Sequence, residues 1–130
     1  MARVSLRVEL GDQARIGPGK IRLLELIGEH GSISAAGRAM GMSYRRAWLL
    51  VDSMNACFTD PVVESSPGGS GGGGARLTGF GHKLIARFRR IESKAAVAAA
   101  ADLAALARAR RGGAKRARPK RAGTVAAKPR

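Results

Sequence analysis

The chain has 130 residues, room for one domain with a modest core and some additional chain. Its formal charge of +15 at pH 7 is extreme for that length and points to a polyanion, most simply nucleic acid. One cysteine, Cys57, excludes an internal disulfide or a thiolate metal cluster and fits a reducing cytosol; on an apolar helical stripe it reads as a small buried hydrophobe.

The charge is unevenly spread. Residues 1–92 hold 13 Lys and Arg against 8 Asp and Glu, whereas residues 93–130 hold 11 against 1. Two thirds of the excess therefore falls outside the expected globular part. No signal peptide or membrane span is expected, because the longest apolar run, Ala95 to Ala101, is short and dominated by alanine.

Val4 to Leu10 alternates apolar and polar residues, the period of a half-buried strand. Gly11-Asp12 and Gly17-Pro18-Gly19 bracket a turn or loop. A helix is expected from Lys20, with Ile21, Leu24 and Ile27 facing inward beside Leu23 and Leu26, ending between Gly28 and Gly31. His30 suits the last carbonyls of that helix. His82 lies about fifty residues further on without Cys or carboxylate at ligand spacing, so no metal is expected.

Gly31 to Phe58 reads as two helices joined by a tight turn. Ser32 or Ser34 caps the first, and Ala35, Ala36, Ala39 and Met40 give it a small apolar face that a second helix can cross closely. Gly41 stands where a chain leaving a helix needs a left-handed backbone. Met42 plugs the gap between the helices, and Ser43 caps the second. At 100° per residue, Ala47, Leu50, Val51, Met54 and Phe58 form its buried stripe. Arg45, Trp48, Leu49 and Asp52 lie opposite, flanked by Tyr44 and Arg46. Two helices crossing at a glycine turn make a helix-turn-helix, whose second helix enters the DNA major groove. Arginine there can bond a guanine edge bidentately, and the positive end of the helix dipole favours phosphate.

Thr59-Asp60-Pro61 stops the helix. Val62 to Ser65 and Ala75 to Thr78 read as paired strands, with a glycine-rich tip between them that includes Gly68, Gly69, Ser70, Gly71 and Gly72. A hairpin in this place is the wing of a winged helix-turn-helix, its bare backbone able to approach phosphates. A nucleotide-binding loop is disfavoured because no Gly-Lys-Ser/Thr follows the glycines. The flanking strands favour a hairpin over a plain flexible linker.

Thr78 caps a last long helix over residues 79–111. Leu84, Phe88, Ile91, Ala95, Ala99, Leu103 and Leu106 keep one apolar stripe at nearly helical pitch. A helix that long overshoots a small domain, so the stripe asks for the same helix of a second subunit, with Leu84, Phe88, Ile91, Ala95 and Leu103 at the seam. Residues 112–130 are expected to form a disordered basic tail. From Arg108 onward there are ten Lys and Arg and no acid, a composition suited to salt-dependent attraction to DNA phosphates.

The segment Gly31 to Asn55, with Gly-Ser-Ile-Ser-Ala-Ala, Met-Gly-Met-Ser-Tyr-Arg-Arg-Ala-Trp and Met-Asn, resembles the N-terminal domain of the molybdate-dependent, ModE-type transcriptional regulators. So do Val63-Glu64, the segment from Gly68 to Thr78, and Phe80-Gly81. The resemblance covers roughly residues 4–92, with a looser similarity to the LysR-type helix-turn-helix. It implies a bacterial winged-helix protein dimerising through the helix after the wing, with Ser43, Tyr44, Arg45 and Arg46 at DNA, and Trp48 and Arg76 as further contacts; Ser34 is a further candidate contact. Members that sense molybdate do so with C-terminal oxyanion-binding domains, for which residues 1–130 hold no matching segment, so no molybdate is expected on this chain.

These readings together give a mainly α protein with a small β component, a winged helix-turn-helix over residues 1–92. The expected function is a homodimeric transcriptional regulator of double-stranded DNA, cytoplasmic and nucleoid-associated, without enzymatic activity or cofactor. The alternative is a non-specific architectural protein in which the basic tail dominates.

Overall fold

A computed structural model describes residues 2–67 and 73–112. The tip glycines Gly68, Gly69, Gly71 and Gly72 with Ser70, and all but the first residue of the basic tail, lie outside the described residues. Among those described are five helices and two antiparallel hairpins. Ser5–Ser93 form one compact unit, and the chain from Lys94 belongs to a second.

The first hairpin pairs β1 (Val8–Glu9) with β2 (Arg15–Ile16), setting Val8 opposite Ile16 and Glu9 opposite Arg15. The strand expected from Val4 to Leu10 shrinks to two residues, and the expected loop supplies its partner. The alternating pattern is present, but a strand extends only as far as something pairs with it. Here the chain turns back at once: the Leu10 amide donates to the Ala14 carbonyl, and Gln13 takes a positive φ of 69°. The returning strand then stops at Gly17-Pro18, where proline has no N–H to give the ladder.

Helix α1 (Pro18–His30) starts two residues before Lys20 because proline fits a helix's first position, where an N–H would go unpaired. Ile21, Leu23, Leu24, Leu26 and Ile27 are all buried. Gly31 ends it in the left-handed conformation, its amide bonded to the Ile27 carbonyl. Helix α2 (Ile33–Ala39) is capped by Ser32, whose hydroxyl accepts from the Ala35 amide at 3.0 Å. Helix α3 (Tyr44–Cys57) follows Gly41, at φ +72°, and is capped by Ser43. Ala47, Val51 and Met54 are its buried residues, with Leu50 and Phe58 packed against the same core.

The close crossing of α2 and α3 is made at Gly37 rather than Ala39, which is exposed. A β-carbon on Gly37 would stand 2.9 Å from that of Ala47 and 3.6 Å from Met42, so the helices approach as near as a missing methyl allows. The second hairpin pairs β3 (Val63–Ser66) with β4 (Gly74–Leu77), one residue later and one residue earlier than expected. Thr78 then joins hairpin to helix. Its hydroxyl donates to the Pro61 carbonyl at 2.6 Å and accepts from the Gly81 amide at 2.9 Å.

Helix α4 (Gly79–Ala98) is followed by α5 (Ala100–Ala109), where one unbroken helix to residue 111 was expected. Ala99 departs from helical dihedrals, although the Ala99 amide still reaches the Ala95 carbonyl and the Leu103 amide the Ala99 carbonyl. The proposed seam is only partly free. Phe88, 2% exposed, lies in the core of its own chain and is not available to a second subunit. Leu84 packs against the same core, Ile91 is 43% exposed, and Ala95 and Leu103 are half-buried.

Candidate nucleic-acid interface

The outward face of α3 collects side chains that the fold does not use. Tyr44 is 57% exposed, Trp48 45% and Leu49 48%, and Arg45, Arg46 and Asp52 are exposed with them. Among the described residues neither Arg45 nor Arg46 forms an ion pair, whereas Arg7, Arg22, Arg76 and Arg89 all do. Serine capping holds the N-terminal turn that carries these groups: the Ser43 hydroxyl accepts from the Arg46 amide at 3.1 Å. This uses the oxygen of Ser43 and leaves its proton to donate outward.

Two other expected contacts are engaged within the chain. Arg76 on β4 donates to Glu64 on β3 at 2.9 Å, a cross-strand pair fixed by the hairpin register. Ser34 is not a cap; its hydroxyl accepts from the Arg38 guanidinium at 3.1 Å.

Between α3 and the second hairpin runs a groove of about 370 Å³ lined by Ser34, Tyr44, Trp48, Asp52, Glu64 and Gly74 among others. Its walls are fixed by the second residue of the Met54-Asn55 pair that carries part of the family resemblance. Asn55, on α3, accepts at Oδ1 from the Val62 amide at 2.7 Å and the Val63 amide at 3.3 Å, and its Nδ2 donates to the Val63 carbonyl. On the other side the Ala75 amide donates to the Gly31 carbonyl at 2.9 Å, tying β4 to the end of α1. Neither spacing nor periodicity gives Asn55 this bracing role; it depends on the distant Val62 and Val63. Glu64 stands with Val63 in the family resemblance, but its pairing with Arg76 follows only from the hairpin register.

Away from this face, Arg89 on α4 clamps α1. It donates to both carboxylate oxygens of Glu25, at 2.9 and 3.1 Å, and to Glu92 at 2.7 Å. The Arg89 hydrogen bonds, joined by Arg22, hold the Glu25 carboxyl below the usual carboxylate range, and the two carboxylates push the Arg89 guanidinium up. Cys57 is partly buried, its thiol 3.8 Å from the Gln13 carbonyl oxygen. Among the described residues no three His, Cys, Asp or Glu side chains come together, and no helix is long and apolar enough to cross a membrane.

Three helices with a glycine turn between the second and third, then an antiparallel hairpin, define a winged helix-turn-helix architecture. No family model matches the chain. It is 44% identical over 88 residues to the molybdenum-pterin-binding protein MopA of Rhodobacter capsulatus, covering 68% of this chain and 33% of that protein. The molybdenum transport protein ModE of Azotobacter vinelandii is 38% identical over 92 residues, 71% of this chain and 33% of its own length. The DNA-binding transcriptional dual regulator ModE of Escherichia coli K12 is 39% identical over 84 residues, 65% and 32% of the two chains. These proteins are homologues, and what this chain shares with them is a ModE-type domain. The chain spans about a third of the length of the curated relatives it matches.

Proposed function

We propose that this protein is a transcriptional regulator that binds double-stranded DNA as a homodimer, with α3 in the major groove. The observation that carries the reading is the outward face of α3, where Arg45 and Arg46 stand exposed without an ion-pair partner among the described residues. Burying such charges without a partner is costly, so their free state in the fold suits a ligand that supplies the acceptors. Arg45 and Tyr44 read base edges; Arg46 and the Ser43 hydroxyl hold phosphates. Leu49 lies one turn beyond Arg45 on the same face and suits a thymine methyl. Trp48 faces the groove toward the hairpin, whose glycine tip, Gly68 to Gly72, meets the adjacent backbone.

Dimerisation uses the stripe through Leu84, Ile91, Ala95 and Leu103, with Phe88 left to the core. Residues 112–130 add attraction to any DNA. The reading involves no catalysis, cofactor or membrane, and places the protein on the nucleoid in the cytoplasm. It includes no molybdate site on residues 1–130, which match only about a third of the relatives' length; equilibrium dialysis against molybdate tests that point.

Fluorescence anisotropy on DNA upstream of the protein's own gene neighbourhood, against random DNA over a salt series, tests the whole. A preference of several hundredfold surviving at physiological salt is expected. Equal binding at every salt favours the architectural reading, whose support is the 11 cations against 1 acid in residues 93–130.

A further inference from the structure

A second cluster of cations adjoins the face just described and shares Arg46 with it. A cleft of about 380 Å³ is lined by Arg7 and Arg15 of the first hairpin, Lys20 at the start of α1, and Arg46 of α3, over an apolar floor of Met42 and Leu50. No carboxylate lines it. The nearest acid in the register is Glu9, paired with Arg15 across the ladder and joined to Arg7 at 3.0 Å by an exposed ion pair of little strength. The groups are held in place. The Lys20 ammonium donates to the Arg15 carbonyl at 2.9 Å, which leaves two of its N–H groups to donate elsewhere. The stem of Arg7 packs over Gly17, 3.6 Å from where a β-carbon would stand.

Four cations from three separate elements repel one another, and an apolar floor strengthens that repulsion by excluding water. A single anion between them removes it. Arg46 belongs both to this cleft and to the N-terminal turn of α3, so an anion here lies directly beside whatever α3 reads. We propose that the cleft seats a phosphate of the DNA backbone flanking the bases read by α3, and so fixes the register of the helix in the groove. This rests on the DNA-binding reading above. It extends the footprint to the first hairpin and the start of α1, which the helix-turn-helix and wing do not include.

The test uses the full chain, a duplex enriched from a random library by the wild-type protein, and the double variant Arg15→Gln with Lys20→Gln. Affinity of the variant is expected to fall alike on the enriched and random duplexes. The slope of log affinity against log salt is expected to fall by about 0.9 for each phosphate that the variant no longer neutralises. Neutral methylphosphonate linkages, placed one phosphate at a time, give the second readout. One linkage in each half-site is expected to cost the wild type about tenfold and the variant almost nothing, the weight of a charge-assisted hydrogen bond. An unchanged slope with the same methylphosphonate map in both proteins overturns the proposal. So does a cleft whose amide resonances respond to inorganic phosphate while the DNA slope stays put, which would mark a free-anion site. If no duplex is enriched, the sequence-specific reading fails, but the slope on random DNA still reports on the cleft.

Discussion

The two sides of the folded unit treat arginine in opposite ways. Between α1 and α4, Arg89 is gripped by Glu25 and Glu92, and Arg22 by Glu25 and Glu29. On α3, Arg45 and Arg46 are exposed and form no ion pair among the described residues. The same residue type is a strut where the chain supplies carboxylates and stays exposed and unpaired where it does not. Net charge alone does not distinguish them; the local count of acids does. The second hairpin stands between these extremes, with Arg76 facing outward yet bridged to Glu64.

The contrast breaks most visibly at Arg45. Arg45→Ala is expected to weaken specific binding by about 10- to 100-fold and relax preference at one base position, read by anisotropy on a panel of single-base variants. Equal loss on all DNA would reassign Arg45 to phosphate. Removing residues 108–130 is expected to lower affinity for every sequence by about an order of magnitude near physiological salt and to flatten the salt slope, leaving the specificity ratio nearly unchanged.

A smaller effect sharpens the middle case. Glu64→Gln frees Arg76 from its partner and removes a negative charge from the groove wall, so DNA affinity is expected to rise a few-fold; a decrease would show that the pair is needed to shape the hairpin. On the strut side, Arg89→Ala is expected to cost about 1 kcal/mol in chemical denaturation, discounted for partial exposure, and to leave base preference untouched.

The smallest effect is in pH. Glu25 has a depressed pKa in the fold, so its contribution is fully present above the ordinary carboxylate value of 4.5 and is lost as pH falls below it through the lower folded value. Denaturation of the wild type and Glu25→Gln is expected to converge in acid. A gap that persists at low pH would assign the effect to packing.

Much of the architecture was legible because it depends on local signals. The serine caps, the glycine at the α2–α3 turn and the five inward residues of α1 each follow from spacing or backbone geometry within a few residues. What failed depended on partners distant in the chain. The strand from Val4 lost most of its length because Arg15–Ile16 could pair with only two of its residues. Ala39 was expected in the helix crossing, but the position of Ala47 puts the close approach at Gly37, which the apolar pattern did not single out. Phe88 carried the right phase for a seam between subunits, but phase cannot say which neighbour a stripe meets, and the core of its own chain claimed it. On the α3 face, exposure of Tyr44, Arg45 and Trp48 followed from periodicity, whereas the engagement of Arg76 by Glu64 needed the hairpin register.

Asn55 carries a consequence of a different kind. One side-chain amide joins the far end of α3 to the first residues of the second hairpin through three hydrogen bonds. If helix and hairpin each touch DNA, that amide works as a ruler, setting how many base pairs separate the two contacts. Replacing it with aspartate keeps the acceptor for the Val62 and Val63 amides but loses the donor to the Val63 carbonyl. The measuring distance would then slacken on one side only, and the change would appear in which spacings of a binding site are tolerated before it appeared in how tightly any one of them is held.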